Sequence, residues 1–240
     1  NIPLIKELND SISYQHFLAV KKILQDCPLK PDLIGYHGHT LYHNPKERIS
    51  LQLGNRQLLS NLLNIPVVSD FRQNDIDYGG EGAPLAPIYH KLLIENLNLK
   101  LPSAIINIGG IANISIWNGK DLISFDTGPG NSLLNYYSKK LFNKEYDHNG
   151  AIASQGNINN NLLDNFLKHN YFSKEYPKSA ERSIFLNHMH KIFYKKKISN
   201  FDLMTTLTEI TAKSIQLGVN KQSQKLKTII LIGGGVYNTF

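Results

Sequence analysis

The chain has 240 residues, 41% hydrophobic and 19% charged, which excludes a disordered protein and allows one large domain or two small ones around a sizeable core. The net charge of +7 raises the prior for an anionic partner. The basic residues are scattered, however, and the densest run, Lys195-Lys196-Lys197, reads as a solvated face, so no nucleic acid is expected. No stretch approaches the ~20 apolar residues that span a bilayer, so no membrane association is expected. The opening Asn1-Ile2-Pro3-Leu4-Ile5-Lys6-Glu7 has neither a Met nor a signal-peptide pattern, and a truncated or processed start is expected. A single cysteine, Cys27, excludes an internal disulfide and a cysteine-built metal site and favours the cytoplasm. Placed before Pro28, it reads as a helix-end thiol.

In chain order, Tyr14, Phe17, Leu18 and Leu24 recur at helical spacing and predict a helix over 10–26, capped by Asp10 or Ser11. A short strand over 32–36 runs into the loop His37-Gly38-His39-Thr40. A helix over 56–63 is followed by a strand over 65–69 that leads into Asp70-Phe71-Arg72. The polar, glycine-rich residues 74–84 predict a long functional loop, and a helix follows over 87–97. Strands are predicted over 104–108, 114–117 and 122–125, with Gly109-Gly110 and Asn118-Gly119 as turns. Asp126-Thr127-Gly128-Pro129-Gly130-Asn131 reads as a loop opening a helix to about 142. Residues 157–200 read mostly as helix and connections, Leu203, Leu207, Ile210 and Leu217 as one helical stripe, and 228–232 as a buried strand before Gly233-Gly234-Gly235. The alternation argues a mixed α/β fold with ligand loops at strand ends.

Three glycine-rich loops follow strands, at 107–113, 126–131 and 233–235, and glycine lets backbone N–H groups approach phosphate oxygens. The second loop opens a helix whose N-terminus favours anions. Together they point to nucleotide or phosphate binding, although no Walker-type loop or dinucleotide fingerprint is present. Asp126 reads either as a residue that helps place a magnesium ion or as a helix N-cap. Asp70 follows a strand and has Arg72 nearby; it reads either as a proton acceptor or as a structural Asp–Arg pair or cap. His37, His39 and His43 do not form a zinc pattern and read as sugar-hydroxyl contacts or structural hydrogen bonds.

The loops taken together are familiar. Ile34-Gly35-Tyr36-His37-Gly38-His39-Thr40, Leu51-Gln52-Leu53-Gly54-Asn55, Val68-Ser69-Asp70-Phe71-Arg72 and Gly79-Gly80-Glu81-Gly82-Ala83-Pro84-Leu85 resemble the anhydro-N-acetylmuramic acid kinase family. Asn107-Ile108-Gly109-Gly110-Ile111-Ala112-Asn113, Phe125-Asp126-Thr127-Gly128-Pro129-Gly130-Asn131, Pro177-Lys178-Ser179 and Gly233-Gly234-Gly235-Val236-Tyr237-Asn238 match it in register. The resemblance implies an actin, hexokinase and Hsp70 type (ribonuclease H-like) kinase fold of two α/β halves closing on ATP. Residues 1–98 would form the remainder of the first half and 99–240 the second. It implies an ATP-dependent reaction in peptidoglycan recycling: water opens the bridge of 1,6-anhydro-N-acetylmuramic acid and the bridge oxygen takes the γ-phosphoryl group, giving N-acetylmuramic acid 6-phosphate.

Asp70 would be the general base. Substrate contacts are implied at His37, Gly38, Thr40, Arg72, Gly80 and Glu81. Nucleotide contacts are implied at Asn107, Gly109, Gly110, Asn113, Asp126, Thr127, Gly128, Gly130, Asn131, Gly233, Gly234 and Gly235. Mg²⁺ would arrive with ATP, with no metal site of the chain's own, and a homodimer is implied by resemblance alone. The family's opening Gly-Thr-Ser-x-Asp-Gly hairpin is not found and the chain stops soon after Gly235, so an incomplete fold and impaired activity are expected. The alternative is a non-catalytic sugar- or nucleotide-binding remnant.

Overall fold

The computed structural model describes residues 2–44, 47–80, 82–193, 197–221 and 225–240. Glu81, Lys195 and Lys196 lie outside the described residues. Two compact units divide the chain, Asn1–Leu85 and Ala86–Phe240.

In the first unit, α1 (Ile2–Asp26) starts eight residues before the expected position. The expected caps Asp10 and Ser11 are instead mid-helix: Asp10 accepts from Asn55 Nδ2 at 2.7 Å, and one turn on, fully buried Ser13 accepts from Asn55 N at 2.6 Å. Asn9 Oδ1 accepts from Gly54 N at 2.7 Å, so one polar row of α1 pins the turn into α2 (Arg56–Leu63). Asn55 then caps α2 through Leu58 N, and Leu59 is its buried anchor. The strand β1 (Ile34–Gly35) pairs in parallel with β4 (Val67–Val68), while β2 (His39–Asn44) and β3 (Ile49–Leu53) form an antiparallel hairpin. That hairpin corrects the loop expected at His39-Thr40; β2 is mostly polar and exposed, and the alternation Ile49-Ser50-Leu51-Gln52-Leu53 of β3 is the signal that was passed over. The helix α3 (Phe71–Asp77) enters the stretch expected to be irregular, anchored by buried Ile76.

In the second unit, β5 (Ser103–Ile108), β6 (Ile111–Trp117), β7 (Leu122–Pro129) and β8 (Thr228–Ile232) form one sheet in the order β7-β6-β5-β8. The first three strands are an antiparallel meander and β8 joins β5 in parallel. Successive side chains alternate across the sheet. Ala104, Ile106, Ile114, Ile116 and Phe125 cluster with Ile215 and Val219 of α9 (Asn200–Asn220). On the opposite face Ile105 and Trp117 meet Ile94 of α4 (Ala86–Asn96), which makes that helix part of the second unit's core. A further core joins α9 to α5 (Asn131–Phe142), α6 (Asn160–Leu167), α7 (Asn170–Ser173) and α8 (Arg182–Phe193) through Tyr137, Phe166, Phe172, Phe185 and Leu207. Among the described residues no helix is long and apolar enough to cross a membrane.

The strand β7 runs four residues past its expected end, to Pro129, because its ladder with β6 continues to the pair Ile111–Pro129. Asp126, Thr127 and Gly128 are therefore strand residues, and Thr127 Oγ1 donates to Ala112 O at 3.1 Å. Helix α9 crosses so close that a Cβ on Gly128 would stand 2.7 Å from Ser214 Cβ. Gly128→Ala should therefore cost about 1–3 kcal/mol of stability by overpacking, seen as a lower urea midpoint. An unchanged midpoint would show that α9 does not pack this tightly.

Candidate functional site

In the first unit the site starts from the parallel pair β1–β4. Both strands point their carboxyl ends the same way, so His37 and Asp70 emerge from one edge. Asp70 has φ 61° and ψ 28°, the left-handed region, which Asp tolerates better than most residues. It holds the N-cap position of α3 but makes no side-chain cap bond, which removes the capping reading. Its carboxylate, 48% exposed, pairs with Arg56 of α2. Arg72, expected as the partner, instead donates from Nε to His37 Nε2 at 2.8 Å and from Nη1 to Gly82 O at 2.9 Å. A guanidinium only donates, so His37 Nε2 accepts and the ring proton lies on Nδ1, 2.9 Å from Gly38 O. Burial lowers the pKa of Arg72. Asp75 closes the arrangement, accepting from Gly82 N at 2.8 Å with its carboxylate and from Gly80 N at 2.8 Å with its carbonyl. His37, Gly38, Arg72, Gly80 and Asp70 thus gather around α3, while Thr40 lies within β2, where its hydroxyl meets Gln52 Nε2 at 3.5 Å.

In the second unit, Asn107, Asn113 and Asp126 lie on one rung across β5, β6 and β7. The Gly109-Gly110 turn points its carbonyls at the start of α5: Gly130 N and Ser132 N donate to Gly110 O at 3.0 and 3.1 Å, and Asn131 N to Gly109 O at 2.7 Å. This corrects the helix-terminus expectation, because those three N–H groups are already engaged. It also makes Gly130 the N-cap of α5, which removes the capping reading of Asp126. The Gly233–Gly235 loop runs against β5, and a Cβ on Gly233 would stand 2.5 Å from Asn107 Oδ1. Beside it opens a cavity of about 390 Å³, lined by Asn131, Gly234 and Gly235 together with Tyr146, Asn149 and Tyr237. The Asp147 carboxylate holds its far wall by accepting from Ile152 N and Ala153 N at 2.8 and 2.9 Å. Amide and aromatic groups around such a volume suit a flat, neutral, hydrogen-bonding moiety.

The family model described as anhydro-N-acetylmuramic acid kinase matches residues 1–240. Curated relatives bearing that name include one from Pelagibacter ubique, 38% identical over 98% of this chain and 63% of its own length. Another, from Methylobacterium nodulans, is 37% identical over 98% of this chain and 62% of its own length. One from Haemophilus influenzae is 36% identical over 97% and 65%. The chain belongs to the anhydro-N-acetylmuramic acid kinase family. It spans less than two thirds of the length of these relatives.

Within this family member, Asp126 sits in a desolvated corner. Burial raises its pKa, opposed by the hydrogen bond from Ala180 N at 2.9 Å and by the charge of Lys178. Lys178 Nζ lies 4.5 Å from the centre of the Tyr171 ring and donates to Tyr171 O at 3.2 Å. The ring face, Glu175 and Asp126 favour its charged form, yet burial first, with Lys221 and Lys174, pushes its pKa down to about 8. Arg56 and the pocket residue Tyr146 were missed from sequence. Arg56 lies 14 positions before Asp70, and no spacing rule links a residue on one helix to the cap position of another.

The Lys178 amine gives a pH signature. Between about 8 and the ordinary 10.5 the folded chain holds fewer protons on it than the unfolded chain, so its contribution to stability rises with pH. Lys178→Gln should remove that rise, measured as denaturation midpoints across the same window. Parallel curves for the two proteins would contradict the shift.

Proposed function

We propose that this chain is the substrate- and nucleotide-handling part of a kinase that opens 1,6-anhydro-N-acetylmuramic acid and phosphorylates it at O6, using ATP. The observation that carries this reading is Asp70: a half-exposed carboxylate, free of capping, at the carboxyl end of a parallel strand pair. In the proposed reaction Asp70 takes a proton from water as the water oxygen bonds to the anomeric carbon. The C1–O6 bond breaks, O6 bonds to the γ-phosphorus, and the bond between that phosphorus and the ADP oxygen breaks. Arg72 and His37 orient sugar hydroxyls beside Asp70, their own hydrogen bond keeping both side chains from swinging.

The nucleoside occupies the cavity lined by Asn131, Tyr146 and Tyr237. The antiparallel meander followed by a parallel strand supports the actin-type fold for the second unit. Residues for a magnesium ion also fit: Asp126 has one carboxylate oxygen on Ala180 N and leaves the other for an ion, and it shares its rung with Asn113 and Asn107. Bound with ATP, Mg²⁺ neutralises phosphate charge and keeps most of its waters, so one carboxylate suffices. A nearby cation would also offset the desolvation that raises the Asp126 pKa. Dependence on ATP makes the cytoplasm the site of action.

Asp70→Asn keeps the size and the left-handed tolerance of the residue while removing the charge. In the full-length protein it should lower kcat by about 10²- to 10⁴-fold and leave ATP affinity within about threefold. ADP release in a coupled assay reads the first and titration calorimetry the second. Unchanged turnover would remove Asp70 from the chemistry.

A further inference from the structure

The tight turn between β5 and β6 carries an arginine that neither its motif nor its position in the chain singled out. A Cβ on Gly110 would stand 2.6 Å from Arg182 Nη2, 2.7 Å from its Nε and 2.8 Å from its Cζ. The guanidinium plane therefore lies directly on the glycine turn. Arg182 is the first residue of α8 and is exposed. Among the described residues it has no carboxylate partner and no hydrogen bond, and its neighbour Glu181 accepts from Ser183 Oγ instead. An unpaired guanidinium held against backbone keeps its donor fork free for an anion.

Two further features point to the same spot. The N–H groups of Gly109 and Gly110, among the described residues, donate to no protein acceptor. Ser132, whose N–H reaches Gly110 O at 3.1 Å, has a buried hydroxyl with no hydrogen-bond partner. The amides at the start of α5 are engaged by the turn carbonyls, so they do not supply the charge a polyphosphate requires. The cavity lined by Asn131 and Gly234 lies beside the same turn, because Asn131 N donates to Gly109 O.

We infer that Arg182, seated on the Gly109-Gly110 turn, binds the polyphosphate tail of the nucleoside triphosphate. The inference rests on the kinase reading above and adds a residue to it. Gly110 is then glycine for a chemical reason: any side chain there would push the guanidinium off the turn.

The test is calorimetric titration of the full-length protein with ATP, ADP and adenosine, for wild type and for Arg182→Ala, Arg182→Lys and Gly110→Ala. Loss of a charge-assisted contact should weaken ATP binding by about 10- to 100-fold in Arg182→Ala while adenosine affinity stays within about twofold. Arg182→Lys should recover part of the loss, because it restores charge without the fork. Gly110→Ala should reproduce the Arg182→Ala defect, since the backbone there needs no left-handed angle and the flexible guanidinium is what must move. Equal losses for ATP and adenosine would reassign Arg182 to a structural role, and unchanged ATP affinity would overturn the inference outright. If wild type bound adenosine but not ATP, or neither, the kinase reading itself would fall and Arg182 with it.

Discussion

The second unit is organised around the docking of a hairpin turn onto a helix. The carbonyls of Gly109 and Gly110 satisfy the first amides of α5, so the β5–β6 turn and the α5 start cannot move independently. Gly130 is compelled by the same contact, because a Cβ there would stand 2.2 Å from Gly109 O. Asn131 Nδ2 adds a bond to Ile108 O at 3.1 Å, and the Gly233–Gly235 loop packs on Asn107 and Ile108. Three glycine loops thus become one contiguous surface with the cavity alongside. A surface fixed before a ligand arrives avoids the entropic cost of ordering it on binding.

The first unit uses a different device. Its functional groups stand on two short strands and a two-turn helix, elements too small to be stable alone. They are tied by side chains: Asn9, Asp10 and Ser13 of α1 to the turn before α2, Arg56 of α2 to Asp70, and Arg72 to His37 and Gly82. This chain of polar contacts passes from the long helix to the candidate base. Asp70 gains an orientation from Arg56 while its left-handed backbone turns the chain sharply from β4 into α3. Non-glycine residues in that region cluster where function demands a particular direction.

Around Asp126 and Lys178 the two opposite charges share a partly dry corner in which burial works against both ionised forms. A corner that tolerates this without exchanging the pair for apolar side chains carries a cost in stability, which is the usual mark of a site kept for charge rather than for packing.

The elements with strong apolar periodicity were legible in the sequence. The helix over Arg56–Leu63, the strand over Thr228–Ile232 and the meander expected from 104 to 125 follow from runs and spacing of Leu and Ile, although the last strand, expected to be buried, has Ile229 and Leu231 exposed. Two of the glycine motifs likewise marked loops that line the cavity, through Asn131, Gly234 and Gly235. Tertiary structure decided the rest. The β2–β3 hairpin, the extension of β7 through Asp126, the partnership of Asp70 with Arg56 rather than Arg72, and the seat of Arg182 on Gly110 each depend on a residue many positions away. Sequence spacing registers neighbours on one helix or strand. A hydrogen bond or a close approach between separate elements exists only once the core has packed them together.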